Sequence, residues 1–267
     1  MKTIRQLIDL SDRVAVVTGG AGHVGQALCD TLAELGAAVV VLDRGEQACQ
    51  QVANQLTSDH QREAMPLPVD LTDQEQLGGV CQRVLREFDR IDILVNCAAF
   101  VGTSELEGWA TEFARQRADV FRQAMDLNLV APFALTQSCA EALARSGHGS
   151  VINIGSIYGL VGPDPRLYEG SGLGNPAAYA ASKAGLMQLT RWLATTMAPS
   201  VRVNSITPGG IFRNQEEEFV RRYSDRTPLR RMGSEQDIKG ALAYLAGDLS
   251  QYVTGHDLVV DGGWTAW

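Results

Sequence analysis

The chain has 267 residues, 45% of them hydrophobic, which suffices for one large α/β core or two small ones. A formal net charge of −8 argues against a nucleic-acid footprint, and the opening residues, interrupted by charge, lack a signal-peptide core. No window approaches a membrane span, and Cys29, Cys49, Cys81, Cys97 and Cys139 show no Cys-x-x-Cys pair or His grouping; a soluble, cytoplasmic protein with reduced thiols and no metal site is expected.

A short apolar run at residues 14–17 feeds Thr18-Gly19-Gly20-Ala21-Gly22-His23-Val24-Gly25. Helical spacing follows from Ala27 to Leu35, with Gly36 in a C-cap position. Residues 38–42 form a continuous apolar strand of the kind parallel sheets bury on both faces, and Asp43 closes it. Such a strand, glycine turn, helix and strand suit a dinucleotide, because glycines let the backbone approach the pyrophosphate at the helix N-terminus. Asp43 falls where a carboxylate can accept from both hydroxyls of an adenosine ribose. A tight turn alone would explain the glycines; the flanking elements favour the nucleotide.

The alternation continues. A helix over residues 46–58 leads to a strand at 64–69 that ends in Asp70-Leu71, and helical spacing at 73–88 precedes a buried strand at 91–96. A long helix is predicted over 117–145, broken only by Pro132, then a strand at 150–156. After a loop, a helix runs to about Met197, followed by a strand at 201–206. A polar segment, a helix over 234–246 and a last strand at 258–260 complete the chain. Strands alternating with helices imply a doubly wound, Rossmann-type parallel sheet with helices on both faces, in one domain spanning residues 1–267.

The helix after the loop carries Tyr179-Ala180-Ala181-Ser182-Lys183, which puts Tyr179 and Lys183 one turn apart on one face. A phenol titrates near ~10, and a neighbouring ammonium favours the phenolate, bringing the group toward the range useful for proton transfer. The spacing also arises by chance on many helices.

Taken together, the ordered motifs resemble the short-chain dehydrogenase/reductase family over essentially the whole chain. They are Thr18-Gly19…Gly25, Asp70, Asn96-Cys97-Ala98-Ala99, Asn128, Ser156, Tyr179 with Lys183, and Pro208-Gly209. The resemblance implies an enzyme that passes a hydride between a nicotinamide dinucleotide and a secondary alcohol or ketone. In it Tyr179 is the acid/base, and Ser156 bonds the same substrate oxygen. Lys183 lowers the Tyr179 pKa and holds the nicotinamide ribose, and Asn128 anchors a proton-relaying water. The cofactor set it implies is Thr18, Gly19, Gly22, His23, Val24, Gly25, Asp43, Asp70, Leu71, Asn96, Ala98, Tyr179, Lys183, Pro208, Gly209 and Ile211, with NAD as the cofactor. Relatives pair the Asn128 and Tyr179 helices across a dyad, which implies a homotetramer, with a dimer as the fallback.

Three positions depart from the family pattern. His23 replaces the middle glycine of the cofactor turn, where Gly22 could supply the special backbone angle. Ala99 stands in place of a glycine, and Arg213 in place of a threonine that contacts the carboxamide.

The segment between Ser156 and Tyr179 is longer than the family's usual spacing, and its extra stretch lies around residues 163–172. A long loop bounded by catalytic residues points to substrate recognition, or else to a surface excursion or subunit contact. Residues 213–231, where relatives place a substrate lid, are rich in Arg, Glu, Asn and Gln. That composition suits a polyol- or sugar-like small molecule, neutral or anionic, better than a steroid or acyl chain. Tyr168-Glu169-Gly170, Asn175-Pro176 and Gly210 to Gln215 resemble a bacterial branch linked to surface-sugar and flagellin-glycan biosynthesis. Two other readings remain open: a sugar epimerase or dehydratase using bound NAD transiently, and a non-catalytic NAD-responsive binding protein.

Overall fold

The computed structural model describes residues 1–101, 104, 106–170 and 174–267. Seven strands, β1 (Val14–Thr18), β2 (Ala38–Asp43), β3 (Ala64–Pro68), β4 (Ile93–Asn96), β5 (Gly149–Ile154), β6 (Val201–Pro208) and β7 (Asp257–Val260), form one sheet. All pairings are parallel, in the order β3-β2-β1-β4-β5-β6-β7. The helices are α1 (Ile4–Ile8), α2 (His23–Glu34), α3 (Glu46–His60), α4 (Gln74–Phe88), α5 (Ala118–Met125), α6 (Ala131–Arg145), α7 (Ala177–Met197), α8 (Glu217–Arg226) and α9 (Lys239–Ala246). The expected doubly wound α/β fold is present.

Strand side chains alternate between faces. Ala15, Val17, Val39 and Val41 pack with α2, α3 and α9 on one side. Val14, Val16, Val40 and Leu42 pack with α4, α6 and α7 on the other. Both faces are covered, so β1 and the interior of β2 are apolar at successive positions. Among the described residues β3 pairs only with β2, and this edge position accommodates Pro66 and Pro68.

The strand order reverses at β1 and β4. Connections leaving these neighbours turn to opposite faces, and a crevice opens beyond their C-terminal ends.

Two predicted elements differ in detail. The long helix over 117–145 is α5 and α6 joined by a π-turn at Asp126–Val130, where the Ala131 N–H bonds the Asp126 carbonyl five residues back. Pro132 lacks the N–H that an α-helix would offer to the carbonyl of Asn128, four residues earlier. The helix predicted over 234–246 begins as a 3-10 turn at Glu235–Ile238, capped by Ser234, before α9.

At the opposite end of the sheet, Arg13 donates to Asp248 Oδ1 at 2.5 Å and Lys2 to its Oδ2 at 3.0 Å. Burial pushes the Asp248 carboxyl up, but Arg13 and Lys2 together outweigh it and hold the group at about 2. A carboxyl depressed in the folded state contributes stability that is complete above its ordinary value of 3.8 and is lost as pH falls through about 2. Asp248→Asn leaves the buried Arg13 guanidinium unpaired and should cost about 3 kcal/mol at neutral pH. In thermal melts followed by circular dichroism, the gap to the parent protein should shrink between about pH 4 and pH 2; a constant gap would rule out this linkage.

Candidate active site

The glycine turn after β1 is set by contact with its own helix. Gly19 has φ +66°, and a Cβ there would lie 2.9 Å from the Ala98 backbone nitrogen. A Cβ on Gly25 would lie 1.9 Å from the Gly19 carbonyl oxygen, which no side chain tolerates. Residue 25 must therefore be glycine for α2 to start this close to β1. Gly22 precedes α2 in extended conformation, with φ −76°, and provides no side-chain cap. The special angle belongs to Gly19, a correction to the expectation for Gly22. The first-turn amides of α2, at His23, Val24 and Gly25, have no intrahelical acceptor. His23 is exposed on that turn and Val24 is half-buried.

Thr18 holds the other side of the crevice. Its Oγ1 accepts from the Cys97 and Ala98 amides at 3.0 and 3.1 Å, so the chain after β4 is tied to the end of β1. Asp43 ends β2 with Oδ2 accepting from the Ala21 amide at 3.2 Å and Oδ1 from the Arg44 amide at 2.8 Å. This fixes the carboxylate at the edge of the glycine turn while Arg44 remains exposed. Uncapped amides, a glycine cradle and an oriented carboxylate fit a dinucleotide: diphosphate at α2, adenosine ribose at Asp43.

Asp70 is exposed after β3, accepting from Thr72 N and Oγ1, while Leu71 is buried. The N-cap of α4 is Asp73.

Ser156 and Tyr179 meet beyond the end of β5. Ser156 is buried, and its hydroxyl bonds the Tyr179 phenol, favouring the phenolate. Burial is the larger influence and leaves Tyr179 above its ordinary value of 10. The Tyr–Lys spacing predicted a shift in the other direction. Lys183 is buried with its Nζ 5.8 Å from the Tyr179 ring centre, donating to the Ile154 carbonyl at 2.7 Å. Burial lowers Lys183 to about 8.

Asn128, at the π-turn, is fully buried. Its Oδ1 accepts from Phe100 N at 2.8 Å, and its Nδ2 donates to Ser182 Oγ at 3.0 Å. Ser182 in turn donates to the Tyr179 carbonyl at 3.0 Å. Asn96 Nδ2 donates to Asn153 Oδ1, and Asn153 Nδ2 to Thr190 Oγ1, both at 2.8 Å. These two buried chains register α7 against the sheet and against the π-turn. Pro208 ends β6, and the Gly209 amide donates to Val260 O. Ile211 pairs with Gly233 in an isolated bridge.

Beyond Ser156, the inserted segment forms 3-10 turns at Ile157–Gly159 and Pro165–Tyr168; Ser171 and Gly172 of the predicted stretch lie outside the described residues. Asp164 accepts from Arg166 and from Arg226 of α8, and Arg166 foremost holds its carboxyl at about 2. Arg222 donates to the carbonyls of Arg166 and Glu169. The Tyr158 and Tyr168 hydroxyls are 3.1 Å apart, and Tyr223 stacks on Trp264 at 4.3 Å. The Tyr223 hydroxyl accepts from the Gly210 amide. Insertion, α8 and the turn after β6 thus form one wall. Sequence reasoning missed the Asp164–Arg226 and Tyr223–Trp264 contacts, which join residues remote in the chain and leave no periodic signal.

A family model described as enoyl-(acyl carrier protein) reductase matches residues 19–265. A structure of a short-chain type dehydrogenase/reductase from Mycobacterium marinum superposes with a TM-score of 0.87 at 30% identity, covering 100% of both chains. The chain belongs to the short-chain dehydrogenase/reductase family. Within the family, it is 28% identical to post-translational flagellin modification protein A of Campylobacter coli, over 96% of this chain and 99% of that one. A gluconate 5-dehydrogenase from Burkholderia cenocepacia, solved in complex with NADP and tartrate, is 27% identical with a TM-score of 0.87, over 99% of this chain and 100% of that one. The chain is thus an enzyme of an oxidoreductase family whose members include dehydrogenases of alcohols and sugar acids.

Proposed function

We propose that the protein, as one domain spanning residues 1–267, uses NAD(H) to interconvert a secondary alcohol and a ketone on a polyol- or sugar-like substrate. The observation that carries this reading is the meeting of Ser156, Tyr179 and Lys183 beyond the end of β5. When bound, the nicotinamide supplies the hydride acceptor or donor. Tyr179 moves the hydroxyl proton, and Ser156 holds the same oxygen and polarises it. Lys183, carried by the same helix face, supports the phenolate and the ribose. Asn128 fixes the Tyr179 turn through Ser182.

The polar substrate is supported by the wall facing this group. Tyr158 and Tyr168 carry hydroxyls there, although α8 meets them through Phe219, Val220 and Tyr223, its charged side chains lying mostly on the exposed side. The Burkholderia relative holds tartrate, a hydroxylated acid, and the Campylobacter relative is named for flagellin modification. Screening polyols, sugars and their oxidised forms with both nicotinamide cofactors tests the reading through stoichiometric change in nicotinamide absorbance. Product without net cofactor turnover would instead mark an epimerase or dehydratase.

Tyr179→Phe keeps the ring and deletes the proton carrier. Turnover should fall by ~10²–10⁴-fold with NADH affinity nearly unchanged, measured by steady-state kinetics and fluorescence titration. Retention of more than about a tenth of the activity would remove Tyr179 from the proton path.

NAD is favoured because Asp43 would face the extra phosphate of NADP. Two unit charges ~4 Å apart repel by about 4 kcal/mol at an effective dielectric of 20. Arg44, exposed beside it, is the countervailing charge, and the Burkholderia relative holds NADP. Asp43→Ala should lower kcat/KM with NAD and narrow the gap to NADP. Preference of the unmodified protein for NADP would show that Arg44 governs the choice.

A homotetramer acting in the cytoplasm completes the reading. Phe121 on α5, Phe133 on α6 and Trp192 on α7 are exposed aromatics on helices that relatives pair across a dyad. Light scattering at micromolar concentration should give four times the chain mass, or twice for the fallback dimer; a monomer would refute the assembly.

A further inference from the structure

Three segments distant in the chain converge on one side chain, Arg226 at the C-terminal end of α8. The inserted segment reaches it through Asp164, whose Oδ2 accepts from Arg226 Nη1. The same carboxylate accepts from Arg166 Nε at 2.9 Å and Nη2 at 2.8 Å, and caps its own turn by accepting from Arg166 N at 3.1 Å. The Asp164 side chain is only 10% exposed, whereas that of Arg166 is 75% exposed, so Arg226 approaches from the protein side. The C-terminal turn supplies the other contacts. The guanidinium lies 4.9 Å from the Trp264 ring centre, and Trp267 Nε1 donates to the Arg226 carbonyl at 3.1 Å.

Residues four apart on α8 share a face, and two adjacent rows repeat this pattern. Arg222, one turn before Arg226, donates to the carbonyls of Arg166 and Glu169 at 3.0 and 2.9 Å. Phe219 lies 5.7 Å from the Tyr168 ring, and Tyr223, one turn on, stacks on Trp264. Arg226 alone of these residues touches the insertion and the C-terminal turn together. Its Nε is buried with no hydrogen-bond partner among the described residues. Swinging outward would hydrate that N–H, yet the carboxylate and the ring hold the side chain in.

The wall so assembled leads directly to the catalytic serine. The Tyr168 hydroxyl is 3.1 Å from that of Tyr158, and Tyr158 N donates to Ser156 Oγ at 3.2 Å. A shift of the insertion would therefore reach Tyr158, two residues from Ser156.

We propose that Arg226 is a positioning residue that holds the inserted segment, α8 and the C-terminal turn together, so that they open and close as one wall of the site. That this wall meets the substrate rests on the function proposed above; that the three segments move together does not.

The experiment is hydrogen exchange followed by mass spectrometry on the full chain, for the parent protein, Arg226→Gln and Asp164→Asn. In Arg226→Gln, exchange should quicken about tenfold in the peptides covering 157–170, α8 and 261–267 alike, with those of β1, α2 and α7 unchanged. Asp164→Asn, which keeps an acceptor for the Arg166 amide, should reproduce the pattern. Acceleration confined to α8, or spread evenly through the sheet, would overturn the proposal, as would no change. With the sugar or polyol found by the cofactor-coupled screen, Arg226→Gln should raise KM about tenfold and alter kcat by under about twofold, NADH affinity being held. An unmoved KM would overturn the positioning role. Failure of the screen to find any substrate would remove the functional reading, and the exchange pattern would still decide whether Arg226 joins the three segments.

Discussion

The architecture of the crevice depends on one close approach. The backbone of residue 25 lies so near the Gly19 carbonyl that a single methyl would overlap it. This contact lets α2 begin directly behind the end of β1, so its uncapped amides face the opening. Thr18, one residue earlier, uses its hydroxyl to hold the amides of Cys97 and Ala98. The Gly19 position itself leaves no room against Ala98. The two chains that diverge at the strand-order reversal are therefore locked together where they part. A cleft built this way has a fixed width before any ligand arrives.

The catalytic helix is placed by a second constraint, the satisfaction of buried amides. An unpaired buried polar group costs about 1–3 kcal/mol. Asn96, Asn153 and Thr190 form a chain from β4 through β5 to α7, and Asn128 and Ser182 form another that ends on the Tyr179 carbonyl. Sliding α7 by one residue would break both. The π-turn contributes here because it swings Asn128 inward at the point where Pro132 withholds a helical N–H. The phenol is thus positioned by hydrogen bonds to the backbone behind it, and its own oxygen stays available to Ser156.

How much of this was legible in the sequence follows from the range of each interaction. Runs such as residues 38–42, apolar at every position, announce a doubly covered strand, and the glycine turn between two such strands announces a nucleotide cleft. The order of Asn128, Ser156, Tyr179 and Lys183 carried the family resemblance. The left-handed angle was assigned to the wrong glycine, because Gly22 and Gly19 differ only in what packs on them: Ala98, distant in sequence, presses on Gly19. The wall made by Asp164, Arg226, Tyr223 and Trp264 was hidden for the same reason. Its charged residues look like solvated surface until the insertion and α8 are seen side by side. Local patterns speak for local structure; these contacts are purely tertiary.

The acid/base pair shows why spacing alone misjudges a site. On a bare helix, an ammonium one turn from a phenol lowers its pKa. In the folded protein Lys183 is buried and Tyr179 half-buried, and removal from water disfavours each charge: the Tyr179 phenol rises and the Lys183 ammonium falls to about 8. At neutral pH Lys183 is still charged, and Tyr179 holds its proton. That is the state needed to donate to a ketone oxygen. For alcohol oxidation the proton must move the other way, and the phenolate then forms beside a cation. At roughly 6 Å and an effective dielectric of 20, their attraction is about 3 kcal/mol, close to a hundredfold in the proton equilibrium. The same water exclusion that raises the phenol sharpens its response to any charge brought nearby. Burial therefore sets the resting state of Tyr179, and the fixed charges around it decide how readily that state is left.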